Sequence, residues 1–141
     1  MQGPIVVGTD GSKTAAVAVA TAIDMANTLG RPLHVVSAFR PMPIPADLPA
    51  EFQGHITSSS AVDAILADAG ARARVAGVAA TTHAEPGSPA DAVLSVANRV
   101  GADMIVVGNK GIASKTRYVL GNIPSKVVHH AKCSTFVVQT A

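Results

Sequence analysis

Two glycine-bearing stretches hold the residues of this sequence best suited to chemistry. Near the start the chain reads GTDGSKT, residues 8–14, and near the end GNKGIASKTRYVLGN, residues 108–122. In the second stretch glycines stand at 108, 111 and 121, with two residues in the first interval and nine in the next. The turn from Gly108 to Gly111 can aim successive backbone N–H groups inward as an anion nest. Gly121 and Asn122 precede a helical segment whose first N–H groups lack partners and sit at the positive end of the helix dipole. Glycine at such places lets the backbone approach an anion with no Cβ in the way. Lys115 and Arg117 lie between the two cradles. The arrangement suits a phosphate chain; the plain alternative is a loop with helix-capping glycines.

The first stretch imitates a P-loop and fails it. That motif needs four residues between its glycines and a glycine directly before the lysine. Here only Thr9 and Asp10 separate Gly8 from Gly11, and Ser12 precedes Lys13. The dinucleotide fingerprint, with glycine at first, third and sixth positions, is absent too. A strand-to-helix turn with Ser12 as N-cap accounts for the residues. It also leaves Asp10 at the carboxyl edge of a sheet, where open α/β sheets bind ligands.

The remaining candidates carry less. His129 and His130 are adjacent on a helical segment, point about 100° apart and cannot chelate from one face. His34 and His83 fall in strand segments without metal-ligand spacing. Cys133 is the only cysteine, so neither an internal disulfide nor a thiolate zinc cluster can form, and it reads as a small buried hydrophobe. There is no Gly-x-Ser-x-Gly elbow and no carboxylate pair placed for acid–base work. Binding is therefore expected, with at most slow, incidental hydrolysis.

The elements that must position these residues follow from the apolar pattern. Ile5 to Val7, Leu33 to Val36, Met104 to Val107 and Phe136 to Val138 are short runs that do not alternate with polar residues, and Ala79 to Glu85 is a weaker fifth. Such runs read as strands covered on both faces. Helical stripes occupy Ser12 to Leu29, Ser60 to Val75, Ser88 to Val100 and about Ile123 to His130. Ser88 followed by Pro89 is an N-cap with proline at the first helical position. The alternation predicts a three-layer α/β fold with a five-stranded parallel sheet. Arg40 to Thr57, with prolines at 41, 43, 45 and 49, reads as a long irregular loop.

Composition agrees. The 141 residues suit a single domain, 1–141. Hydrophobic residues make up 48% and charged ones 14%, which excludes a disordered chain. Aromatics are 3%, so the core must be built from Val, Ala, Ile and Leu. Lys and Arg exceed Asp and Glu by only 11 to 9, without a basic run, which argues against nucleic acid as the main partner. No apolar run reaches the roughly 18 residues of a membrane helix. The opening MQGPIVVGTD turns polar too soon for a signal peptide. A cytoplasmic protein is expected.

Gly-x2-Gly-x9-Gly followed by a small polar residue resembles the nucleotide-binding signature of the universal stress protein family. The resemblance extends through IVVGTDGS, LHVVSAF, GSPADAV and GNIPSKVVHHAKCSTFVV, and so spans nearly the whole chain. It implies strand order 3-2-1-4-5 and an adenine nucleotide, ATP first, with Mg or Mn held through the phosphates, and cAMP as the alternative. It further implies that Thr9 and Asp10 meet the ribose side and that the backbone at Ser37 and Ala38 reads adenine. Val107 and Gly108 would line the floor, while Gly111, Gly121, Asn122 and Ile123 hold the phosphates. Asn122 stands where the ATP-binding branch usually has Ser or Thr, and Pro124 where relatives often have Ser and an N–H. In that strand order Ser134 to Gln139 forms a sheet edge that is apolar and unprotected. A homodimer pairing two such edges is implied, for a small stress-response regulator. Family branches lacking the glycine signature suggest the remaining alternative, a dimeric interaction protein without nucleotide.

Overall fold

Branched apolar residues favour the pleated, doubly covered surface of an inner sheet, and here they form one. In a computed structural model the residues described are 3–41, 60–109 and 120–140. The strands are β1 (Ile5–Gly8), β2 (Leu33–Phe39), β3 (Ala80–Pro86), β4 (Met104–Gly108) and β5 (Ser134–Val138). The helices among the described residues are α1 (Lys13–Leu29), α2 (Ser60–Val75), α3 (Pro89–Val100) and α4 (Asn122–His130). All strand pairs are parallel, in the order β3-β2-β1-β4-β5. Ile5 of β1 lies between Leu33 of β2 and Met104 of β4. The family-implied order is the observed one.

Alternation along each strand divides the core in two. Ile5, Val7, Leu33, Val35 and Val106 face α1 and α2, where Ala22, Ile23, Leu66 and Ala73 are buried. Val6, Val36, Ile105 and Val107 face α3 and α4, meeting Val93, Val96 and Val127. Alanine is frequent on the sheet-facing sides of α1, α2 and α3, which lets these helices lie close to a sheet built of valine.

The helix boundaries match the expected caps. The Ser12 hydroxyl accepts the Ala15 N–H at 3.1 Å, and Ser88 accepts the Asp91 N–H at 3.4 Å. The strands run longer than the apolar runs, β2 through Phe39 and β3 through Pro86, because ladder pairing with a neighbour extends them. Most of the proline-rich loop falls on residues 42–59, outside the described residues. Among the described residues no helix is long and apolar enough to cross a membrane.

Candidate functional site

β1 and β4 are neighbours, yet the helices that follow them pack on opposite faces: α1 against Ile5 and Val7, α4 through Val127 against the other cluster. The chain therefore parts at the carboxyl edge of these two strands and leaves a crevice there, the place where open α/β sheets bind ligands. The crevice is open to solvent. Thr9, Asp10, Ala38, Val107, Gly108 and Ile123, all singled out from the sequence, line it together.

Its first wall is the turn from β1 into α1. The Thr9 N–H donates to the Val36 carbonyl at 2.9 Å, which fixes the turn to the neighbouring strand. Thr9 Oγ1 accepts the Gly11 N–H at 3.1 Å, and Asp10 Oδ1 accepts the Ser12 N–H at 2.9 Å. Asp10 is thus oriented by its own backbone two residues on, as short polar side chains do in turns. It is exposed, and its second carboxylate oxygen has no partner among the described residues. Gly8 and Gly11 are required by packing. A Cβ on Gly8 would lie 2.7 Å from Val93 Cγ2. Gly11 has φ +81° and its Cβ would lie 2.8 Å from Ile65 Cδ1.

The second wall is the return of the chain into α4. The Gly121 N–H donates to the Asn109 carbonyl at 2.9 Å, and the Ser125 N–H to the Gly121 carbonyl at 3.0 Å. Pro124 has no N–H to offer. The Asn122 and Ile123 N–H groups remain, without acceptors among the described residues. The Gly121 amide itself is engaged with Asn109, so the free donors on this wall are those of the two residues after it. Gly121 and Asn122 stand just outside the lining, whereas Ile123 and the buried Pro124 belong to it. Gly111, Lys115 and Arg117 lie outside the described residues.

Ser37 is not part of the lining. Its side chain is buried on the face of β2 opposite to Val36 and Ala38, because strand side chains alternate. Other residues join that the sequence reading passed over: Ser12 and Thr14, whose hydroxyls lie 3.1 Å apart, with Ala15 and Pro89. Their signal was present. In a parallel sheet every helix that follows a strand starts at the carboxyl edge, so Ser12 and Ser88, recognised as N-caps, mark two rims of the crevice.

Three helix N-termini consequently meet at the crevice: α1 at Ser12, α3 at Pro89 and α4 at Ile123. Each contributes the positive end of a dipole, and together they favour an anion. Val36, Ala38 and Val107 supply an apolar wall. Asp91 in the first turn of α3 meets Lys126 of α4 at 2.8 Å, which ties the two helix starts together. Hydrogen bonds from Lys126 and then Ser88 hold the Asp91 carboxyl below its ordinary range.

Elsewhere, His34 Nδ1 and His83 Nε2 are 2.8 Å apart across β2 and β3. His129 and His130 make only an edge-on ring contact, with centroids 4.8 Å apart. Burial, then Asp103, pushes the Cys133 thiol up, so it stays protonated. Among the described residues no group of three or more His, Cys, Asp or Glu is placed to hold a metal ion.

Comparison with known proteins adds to this geometry. The model of the universal stress protein family matches residues 1–139. A universal stress protein of Mycobacterium tuberculosis is 34% identical, the match covering 96% of this chain and 95% of that protein. A universal stress protein solved in complex with cAMP is 30% identical, with a TM-score of 0.78 over 99% of this chain and 98% of its own. One from Archaeoglobus fulgidus, solved with dAMP, shares the fold at 23% identity and a TM-score of 0.68, covering 96% of this chain and 97% of its own.

Proposed function

The chain belongs to the universal stress protein family, and on that premise we propose that it binds an adenine nucleotide at the β1/β4 crevice, with cAMP the favoured ligand. The carrying observation is the meeting of three helix N-termini with Asp10 at one apolar-walled crevice. In this reading the ring lies against Val36 and Ala38, Asp10 accepts a ribose hydroxyl, and the phosphate takes the Asn122 and Ile123 N–H groups. Pro124 and the engaged Gly121 amide leave donors for about one phosphate group on that wall. The relative that carries cAMP, similar over almost its whole length, supports the same choice.

ATP is the second reading, favoured by the glycine spacing at 108, 111 and 121. Its further phosphates, with Mg or Mn on them, would use the Gly108–Gly111 turn. Either way the site is one for binding and signalling in a cytoplasmic stress-response regulator, with any ATP hydrolysis slow. Calorimetric competition between cAMP and ATP on one preparation decides between the two, alongside mass spectrometry of nucleotide released from the purified protein. Tighter cAMP is expected. Tighter ATP would put the second reading first, and binding of neither would remove the nucleotide assignment and leave the interaction-protein alternative.

The assembly proposed is a homodimer through β5. Phe136 and Val137 of this edge strand are 44% and 37% exposed, while Val138 is buried. An apolar edge with free backbone groups invites pairing, and a two-fold axis closes it. Light scattering should give a dimer for the wild type. Val137→Lys, which sets two like charges near the axis, should give a monomer or aggregate; a wild-type monomer at micromolar concentration would refute the dimer.

A further inference from the structure

The pairing of β4 with β5 sets an expectation for Asn109, the residue after β4. In a parallel ladder, a residue whose N–H donates to the next strand also accepts, through its carbonyl, the N–H two residues further along that strand. The Asn109 N–H donates to the Val138 carbonyl at 2.8 Å. The regular partner of its carbonyl is therefore the Thr140 N–H. The ladder departs from regularity here. The Thr140 N–H donates instead to Asn109 Oδ1 at 2.9 Å, and the Thr140 hydroxyl to the same oxygen at 2.8 Å. The Asn109 carbonyl is released, and it accepts the Gly121 N–H at 2.9 Å. Asn109 Nδ2 donates to Gln139 Oε1 at 3.1 Å, which sets the carboxamide's orientation.

We propose that Asn109 is a positioning residue of the phosphate site: its side chain substitutes for its own carbonyl in the ladder, so that the carbonyl can hold Gly121 and the start of α4 at the crevice. The inference rests on the nucleotide reading above and deepens it by naming what places the second wall. A side chain lacking an acceptor at 109 turns the Thr140 N–H back to the Asn109 carbonyl, where it must share the oxygen's two lone pairs with Gly121 and draws that oxygen into the ladder direction. The ladder geometry favours Thr140. Gly121 then loses its fixed position, and with it the Asn122 and Ile123 donors.

The test uses cAMP and adenosine, which differ by the phosphate, in calorimetry on the full chain. Asn109→Ala should weaken cAMP about tenfold and leave adenosine unchanged. Thr140→Pro removes the competing N–H, so on its own it should bind cAMP as the wild type does. Combined with Asn109→Ala, it should restore cAMP affinity to within about twofold of wild type. A residue that merely stabilises the fold would lower both ligands together and show no such rescue. Hydrogen exchange supplies a second readout, with the Gly121 amide protected in the wild type and in the double variant but fast in Asn109→Ala. Asn109→Ala binding cAMP as the wild type does, or a double variant no better than Asn109→Ala, overturns the inference while the nucleotide reading stands. A wild type that binds neither ligand overturns the nucleotide reading itself.

Discussion

Between Gly8 and Ala15 the chain turns from strand to helix using its own side chains: Thr9 reaches Gly11, Asp10 reaches Ser12, and Ser12 reaches Ala15. At the entry to α4, among the described residues, a local bond from the Ser125 hydroxyl to the Leu120 carbonyl at 3.4 Å is joined by a long-range tie. α4 has no side-chain N-cap, and its entry is held by the Asn109 carbonyl, itself freed by a strand distant in sequence. One wall of the crevice is thus held largely by bonds within a few residues, with the Thr9 N–H tied to β2. The other is satisfied only once β5 has docked. In the proposed nucleotide reading, the wall assigned to the sugar is pre-formed, while the wall assigned to the phosphate depends on the state of the sheet edge.

The comparison can be broken most forcefully at Asp10. A carboxylate accepting a ribose hydroxyl forms a charge-assisted bond of roughly 1.5–3 kcal/mol, so Asp10→Ala should weaken cAMP, ATP and adenosine alike by about that much in calorimetry. Loss confined to ATP would instead place Asp10 on a phosphate-bound metal. Next comes Gly121→Glu, which brings a carboxylate to the start of α4. Phosphorylated ligands should weaken at least about tenfold, about 1.4 kcal/mol, with adenosine spared and the circular dichroism unchanged. Equal loss of adenosine would show that the two walls are not separable.

Ser12→Ala sharpens the contrast from the local side. Removing an N-cap costs about 1 kcal/mol, so Tm should fall by a few degrees in calorimetric unfolding. The protection of the Gly121 amide should be unaffected, because nothing on the second wall depends on that cap. The smallest effect is expected from the histidines of β2 and β3, which are not among the residues lining the crevice. Burial and then its neighbour His83 lower the His34 pKa from 6.5; burial and then Arg99, opposed by Glu85, lower that of His83. The unfolded chain therefore takes up protons first as pH falls through 6.5, and stability present above that pH is lost toward the folded pKa values. Thermal scans between about pH 7.5 and about pH 5.5 should show a modest fall in Tm, and His83→Gln should flatten it while nucleotide affinity at neutral pH is unchanged. A profile unaltered by that substitution would mean the pair does not carry the dependence.

Much of this was legible in the residues. The valine runs, the Ala-rich stripes and the Ser12 and Ser88 caps are local signals, each readable within a turn or two of the chain. They placed strands and helices to within a few residues and marked the crevice rims. Gly8 and Gly11 were legible as turn residues, but the packing reason for them was not. Gly8 and Gly11 are held by Val93 and Ile65, side chains that lie near them only after folding. The family resemblance assigned the backbone of Ser37 and Ala38 to the adenine; Ala38 lines the crevice, while the Ser37 side chain is buried on the other face of β2.

What the sequence determined by itself is the set of elements and their order, because apolar periodicity and capping act over neighbouring residues and need no partner from afar. It also determined at which edge of the sheet the candidate crevice would lie, since every strand-to-helix turn of a parallel sheet opens on the same side. The tertiary structure alone decided how the second wall is held. Whether the Asn109 carbonyl serves the ladder or Gly121 depends on Thr140, in the chain but a full strand away, and on the parallel register of β4 and β5. Two acceptors on one residue and two donors from distant segments can be paired in more than one way. Local chemistry leaves that choice open, and only the docked geometry of the sheet makes it.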